Sequence, residues 1–439
     1  MRESNGTPAS HIATSGRFRL LGTLLALAAA AAVSQSFGRF TYSLLFAELR
    51  DGLRLSNTVA GALGSLNLLM YVTGSLVVAL TVGRTGLSGA VRIGLAGNVI
   101  GLALLAWSPN LAVVAAALAL TGFCAAGVWV GTPGIAAEIV AADRRGAAAG
   151  WLTGGVGCGM VAAAAIDAVL SGSGPNDLSV GTLAAADLSH PRSVYRIELV
   201  IGAAVMIAVV LALHSRQRPP DRSRTPGRVG FAGARTSLAK VPQAARLIAA
   251  YTLHAFVVTT LLTFIVSHLE SHGDVFDARS AAVAFSSIGI GCIVGGPIFG
   301  RLADRLGRRR TVTVGFAVSA TATVAMTASP PLAVGGPPLA WAAALVFGTA
   351  FTGIIASIAA RVSDVLAGPD FGAAYGVATI VFGLGLAAGP PVGGAVADRF
   401  GSLGPVFGLV VVACIAGMLL SGWGDDPQPA EPSQLAAPN

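Results

Sequence analysis

Long apolar runs separated by short polar stretches constrain this chain more than any other feature. Crossing a bilayer takes about 20 mostly apolar residues in one helix, and the 439-residue sequence supplies twelve such runs. They fall at 20–46, 57–80, 91–107, 111–139, 146–170, 194–213, 246–268, 280–300, 311–328, 338–360, 371–394 and 402–421. A soluble chain cannot hide 54% hydrophobic residues behind only 11% charged ones, less than half the roughly one quarter of ordinary domains. Backbone polar groups in lipid must be satisfied within the segment, so the runs read as helices. The expectation is an all-α polytopic membrane protein with twelve spans. Its least secure cut is at Ser108–Asn110, between the third and fourth runs.

The basic residues orient these spans. Of the 28 Lys and Arg, 21 fall in alternate segments that include the N-terminal tail, 6 in the opposite segments, and one, Arg39, inside the first run. This bias places both termini in the cytoplasm and explains the net charge of +8 without nucleic acid. The expected organisation is a tail over 1–19, six helices over 20–213, a linker over 214–245, six helices over 246–421 and a tail over 422–439. The linker carries RQRPPDRSRTPGR, a solvated basic stretch within reach of anionic lipid. Cys124, Cys158, Cys292 and Cys414 lie in apolar runs without metal-ligand spacing. No cofactor and no metal are expected. H-E-x-x-H and G-x-x-x-x-G-K-[ST] are absent, so an enzyme or an ATP-driven pump is not expected.

The sharpest motif is Gly300-Arg301-Leu302-Ala303-Asp304-Arg305-Leu306-Gly307-Arg308-Arg309-Arg310, in the turn between the eighth and ninth runs. A tight, glycine-flanked turn sets Asp304 where it can accept from arginines or from a neighbouring helix N-terminus, as a latch that one conformation makes and another releases. Ala79-Leu80-Thr81-Val82-Gly83-Arg84-Thr85-Gly86 is a weakened copy, with Ala79 for the leading glycine and Gly83 for the aspartate. On these motifs the chain resembles the major facilitator superfamily over residues 20–421. The resemblance implies two pseudo-symmetric six-helix bundles that rock about a central substrate site. Asp143-Arg144-Arg145-Gly146 resembles the family's inner loop before the fifth helix. Conformational roles are thus expected at Gly300, Asp304, Arg305, Gly307, Arg308, Arg84, Glu138 and Arg145. The stretch Phe37–Tyr42, with Asn67 and Thr263-Phe264, is similar to a YbfB-like branch of bacterial facilitators. The eleventh run, with Gly389-Pro390-Pro391-Val392-Gly393-Gly394, is similar to monocarboxylate and oxalate–formate carriers.

Polar residues inside the runs are the candidate substrate contacts. Arg39 cannot shed its proton, so it faces a cavity or a partner such as Glu48, and its fork suits a carboxylate, sulfonate or phosphate. Tyr42 shares its helix face. Asn67 either meets substrate or ties two helices together, and Tyr71 follows one turn later. Trp129 lines a cavity or packs, and Phe382 with other aromatics would suit a hydrophobic site. His254 either titrates and meets the anion or is a satisfied core histidine. Glu138, Asp167 and His254 are the candidates for proton coupling, with Arg192 or Arg196 as a competing partner for Asp167. The expected function is a monomeric, inner-membrane secondary transporter of a small organic anion, with proton coupling open. Multidrug or metabolite efflux and a non-transporting membrane sensor are the alternatives. The partners expected are substrate, protons and lipids.

Overall fold

The computed structural model describes residues 9–108, 110–141, 145–171, 188–214, 242–332, 336–365 and 371–422. Most of the expected linker, the stretch 172–187, Asp143, Arg144 and the tail beyond 422 lie outside the described residues, as do the side chains of Arg145 and Arg361. The described residues form thirteen α-helices and no strand. The first span comprises α1 (Ala9–Ser36), α2 (Phe40–Leu44) and α3 (Phe46–Gly52). Then follow α4 (Asn57–Ala106), α5 (Leu111–Ile139), α6 (Arg145–Ser171) and α7 (Ser189–His214). The second half holds α8 (Pro242–Glu270), α9 (Ala278–Leu306), α10 (Arg308–Leu332), α11 (Gly336–Val365), α12 (Phe371–Phe400) and α13 (Gly404–Gly422).

Two departures from the run pattern have glycine causes. The first span is broken between Ser36 and Phe40 because Gly38 takes φ +79°, a left-handed conformation that only glycine adopts without strain. The second and third spans form one helical element of 50 residues, turned at Gly86 with φ +69°. At about 1.5 Å per residue it is more than twice the thickness of a bilayer core, so it crosses twice. The uncertain cut at Ser108–Asn110 is a true break, since α4 ends at Ala106 and α5 begins at Leu111. Large apolar side chains stay exposed along several helices, among them Leu80, Val200, Leu211, Val412 and Leu419. Such a belt suits lipid rather than water.

Helix starts are capped by side chains. Ser56 accepts from the Val59 N–H at 3.3 Å, Asn110 from Val113 at 3.1 Å and Asp277 from Ser280 at 2.8 Å. Hydrogen bonding from Ser280 holds the Asp277 carboxyl below its ordinary range. A lowered carboxyl pKa stabilises the fold above the ordinary carboxylate range and loses that contribution as pH falls through the lowered value. Asp277→Ala is expected to cost about 1 kcal/mol at neutral pH. Thermal unfolding of both proteins across a pH series should show the difference shrinking in acid.

Close helix approach comes from small residues. A Cβ at Gly74 would lie 2.2 Å from the Phe123 carbonyl oxygen, and one at Gly122 would lie 2.0 Å from that of Asn67, so α4 and α5 touch backbone to backbone. The first six spans meet the last six along two long seams, α4 on α12 and α6 on α9, and α2 and α3 also touch α8. In the first, Gly61 faces the Pro390 carbonyl and Ser65 donates to the Ala387 carbonyl at 2.5 Å. In the second, Gly157 faces the Gly289 carbonyl. The first seam is closed at the end of the molecule that carries Asp398, where a Cβ at Gly394 would meet the Asn57 carbonyl, and both seams run past the middle, with Val72 on Gly383 and Ile293 beside Gly154. Toward the opposite end, which carries Asp304, a Cβ at Gly83, Gly150, Gly296 or Gly300 would meet no atom of the described residues within 4 Å.

Candidate functional site

The break in the first span delivers Arg39 to the junction of the two halves. Arg39 is half-buried at the start of α2 and lines a cavity of about 20 Å³ with Tyr42, Asn67, Thr259, Thr263 and Pro390. That is room for about one water molecule. The guanidinium makes one long contact, Nη1 to Gln35 Oε1 at 3.5 Å. It lies 5.1 Å from the Phe40 ring centre and 5.9 Å from that of Tyr71. Among the described residues no carboxylate pairs with it. Gln35 is fixed in turn by its amide, which donates to the Ala125 carbonyl at 3.3 Å.

The neighbouring candidates are largely committed to protein. The Tyr42 hydroxyl donates its one proton to the Ala60 carbonyl at 2.6 Å. Asn67 donates to the Leu118 carbonyl at 2.9 Å and to the Thr121 hydroxyl at 3.0 Å, tying α4 to α5. Phe382 stacks on Tyr251 with centres 4.0 Å apart and packs against Leu68 and Leu386 at the first seam. His254 lies elsewhere. It is buried within the second half, with Nε2 against the Phe351 carbonyl at 3.1 Å and its ring edge-on to Phe316. Trp129 is half-buried and does not line the Arg39 cavity.

The expected latch residues are all at the Asp304 end. Asp304, Arg305, Arg308, Arg84 and Glu138 are exposed. No ion pair among the described residues engages Asp304. Gly307 ends α9 at φ +81°, its N–H donating to the Ala303 carbonyl at 3.0 Å, which explains the glycine at that motif position.

The engaged acid is at the other end. Asp398 Oδ1 accepts from the Asn57 N–H at 3.0 Å and the Asn57 amide at 2.8 Å. Its Oδ2 accepts from the Thr58 N–H at 2.9 Å and the Thr58 hydroxyl at 2.6 Å. A carboxylate thereby sits on the free N–H groups at the start of α4, where the helix dipole favours negative charge. Asp398 is assigned no conformational role from the sequence. The available signal was that Gly394-Ala395-Val396-Ala397-Asp398-Arg399-Phe400-Gly401 repeats the G-x-x-x-D-R-x-G spacing of residues 300–307. Beside this turn lies a cavity of about 1170 Å³ lined by Arg50, His268, Glu270 and His272, among others.

Asp167 takes neither arginine that was considered for it. Arg192 donates to the Ser108 carbonyl at 2.6 and 3.1 Å, and Arg196 lies over Trp107. The Asp167 carboxylate instead lies 3.7 Å from His190 Nε2, while His190 Nδ1 is 2.8 Å from Glu48. Glu48, Asp167 and His190 offer ligand atoms within 4.8 Å of one another. Both ring nitrogens already face carboxylates, an arrangement that suits an imidazolium and needs no ion. Glu198, fully buried on α7, was also missed, although a carboxyl inside an apolar run is itself the signal.

Comparison with known proteins agrees with this architecture. The chain is 27% identical over 210 residues to human solute carrier family 67 member A1, covering 48% of this chain and 47% of that protein. It is 27% identical over 185 residues to mouse solute carrier family 22 member 18, covering 42% and 45%. It thus matches about half the length of these curated relatives. A bacterial homologue of the human lysosomal transporter Spinster, solved inward-facing and unoccupied, superposes with a TM-score of 0.65 at 16% identity, over 92% of this chain and 97% of that one. The Major Facilitator Superfamily model matches residues 28–278 and 247–439. With the helical fold and that match across nearly the whole length, the chain belongs to the major facilitator superfamily.

Proposed function

We propose that the protein is a secondary transporter that carries a small organic anion, a carboxylate or sulfonate, between its two halves by alternating access. The observation that carries this reading is Arg39, a permanent cation inside a span with no carboxylate partner among the described residues. An anion arriving there replaces the long Gln35 contact with two parallel charge-assisted hydrogen bonds. The cavity of about 20 Å³ is too small for that anion, so binding belongs to a conformation with the halves further apart. Family membership and the solute-carrier relatives support transport as the activity.

The basic-residue bias supports placing the Asp304 end and both termini in the cytoplasm of a cell inner membrane, with the segment 214–245 joining the two bundles. We read the protein as a functional monomer and residues 37–42 as the signature of a YbfB-like branch. On this orientation the described conformation is sealed outside, at Asp398.

Thermal-shift assays with monocarboxylates, dicarboxylates, sulfonates and lipophilic cations test the reading. One anion class is expected to stabilise the wild type and to leave Arg39→Ala unmoved. Arg39→Lys, which keeps the charge and loses the fork, should weaken that anion roughly 10- to 100-fold. Equal stabilisation of Arg39→Ala and wild type would overturn the assignment, and stabilisation by cations alone would favour efflux of lipophilic drugs.

A further inference from the structure

Glu198 is a buried carboxyl that no cation among the described residues neutralises. It lies two turns along α7 from His190, about 12 Å deeper at 1.5 Å per residue, with none of its surface exposed. The Thr41 hydroxyl and Glu198 Oε1 share a short hydrogen bond, and the Gly38 backbone N–H faces the same carboxyl. Oε2 has no hydrogen-bond partner among the described residues, and neither has the hydroxyl of Tyr195, one turn earlier on the helix. Among the described residues, no Arg, Lys or His forms an ion pair with Glu198.

The surrounding ionisable groups are few. On its own helix Tyr195 faces Glu198, and Tyr42 on α2 lies beyond it. The stretch of α4 beside this helix, residues 94–106, carries no ionisable side chain. Asp167, the one carboxyl of α6, is turned to His190 at the rim. Arg192 and Arg196 on α7 are engaged by Ser108 and Trp107. An isolated carboxylate in such surroundings is expensive, and the remedy within reach is a proton.

The geometry ties that proton to the substrate site. Thr41 Oγ1 lies between Glu198 and the Ser36 carbonyl, 3.5 Å from the latter, and has a single hydrogen to give. When Glu198 is ionised, Thr41 gives that hydrogen to the carboxylate. When Glu198 is protonated, the acid donates to Thr41 Oγ1 and the threonine hydrogen turns to the Ser36 carbonyl. The two states differ in how they hold residues 36–41, the break that contains Gly38 and carries Arg39.

We propose that Glu198 is the proton-binding residue of the transport cycle, linked to Arg39 through the helix break at Gly38. The cycle rests on the transporter reading above, while the titration itself does not depend on the identity of the anion. Purified protein is treated with dicyclohexylcarbodiimide, which modifies protonated carboxyls in apolar surroundings, from about pH 5 to about pH 9, and the modified sites are mapped by mass spectrometry. Labelling of Glu198 is expected to fall at least about tenfold as pH rises. Hydrogen exchange of residues 33–44, corrected for intrinsic rates, should change over the same interval in the wild type and stay at its acid-side pattern in Glu198→Gln. Arg39→Ala should keep the Glu198 titration, so anion binding by Arg39→Ala equal to that of wild type, with the titration intact, would sink the anion reading alone. Unlabelled Glu198, labelling independent of pH, or a Glu198→Gln protein that keeps the wild-type pH response would overturn the proton assignment. The labelling experiment uses the wild type, so it decides the matter even where the variant does not fold.

Discussion

Asp398→Ala is expected to raise the odds of opening at the Asp398 end roughly 30-fold, corresponding to about 2 kcal/mol. Asp398 receives two backbone N–H groups and two side-chain donors of Asn57 and Thr58, residues some 340 positions away in the other half. Hydrogen bonds to a charged group contribute about 1.5–3 kcal/mol when buried, and a charge at a helix N-terminus about 0.3–1 kcal/mol. Asp398 is exposed, so water competes for every one of these donors and the sum is far below the buried figure. What remains acts on one conformation only, because the bonds cross from α12 to α4 and break when the seam opens.

Spin labels at Arg54→Cys and Ser402→Cys, both exposed and on opposite sides of this seam, read the effect as a distance distribution in a background lacking the native cysteines. Wild type should populate mainly the short distance, and the ratio of long to short should rise roughly 30-fold in Asp398→Ala. Asp398→Asn should fall between them, since an amide keeps one acceptor and loses the charge. Identical distributions for all three would show that the carboxylate does not hold the seam.

The seam also marks where the sequence was legible and where it was not. The spans could be read because an apolar run of membrane length has few other uses, and even the doubtful cut at Ser108–Asn110 is a real helix end. Arg39 could be read because a guanidinium in such a run needs a reason. The same rule should have found Glu198, but Arg192 and Arg196 nearby gave that part of α7 the look of a polar rim. The break at Gly38 is hidden because glycine is common inside membrane spans and only φ +79° exposes it. The roles of Tyr42, Asn67 and Asp398 depend on Ala60, Leu118 and Asn57, partners that no local pattern names.

Gly394→Val and Gly300→Val are expected to shift the same equilibrium in opposite directions. The two glycines hold the same position in the two G-x-x-x-D-R-x-G copies, at opposite ends of the molecule. A Cβ at Gly394 would lie 2.4 Å from the Asn57 carbonyl oxygen, whereas one at Gly300 would meet no described residue within 4 Å. Backbone cannot rotate aside as a side chain can, so overpacking at Gly394 costs about 1–3 kcal/mol, all of it in the conformation sealed at Asp398. The opening odds then rise about 5- to 150-fold. Gly300→Val carries no such clash here and gains slightly in helix propensity. Its penalty belongs to a conformation in which the Asp304 end closes as the Asp398 end does now, so the long-distance population should shrink. Gly157→Val, 2.4 Å from the Gly289 carbonyl at the second seam, should behave like Gly394→Val. Shifts of one sign from all three valines would mean that the two copies are not alternating latches. Opposite signs would tie one short sequence pattern, used once at each end, to the direction in which the molecule opens.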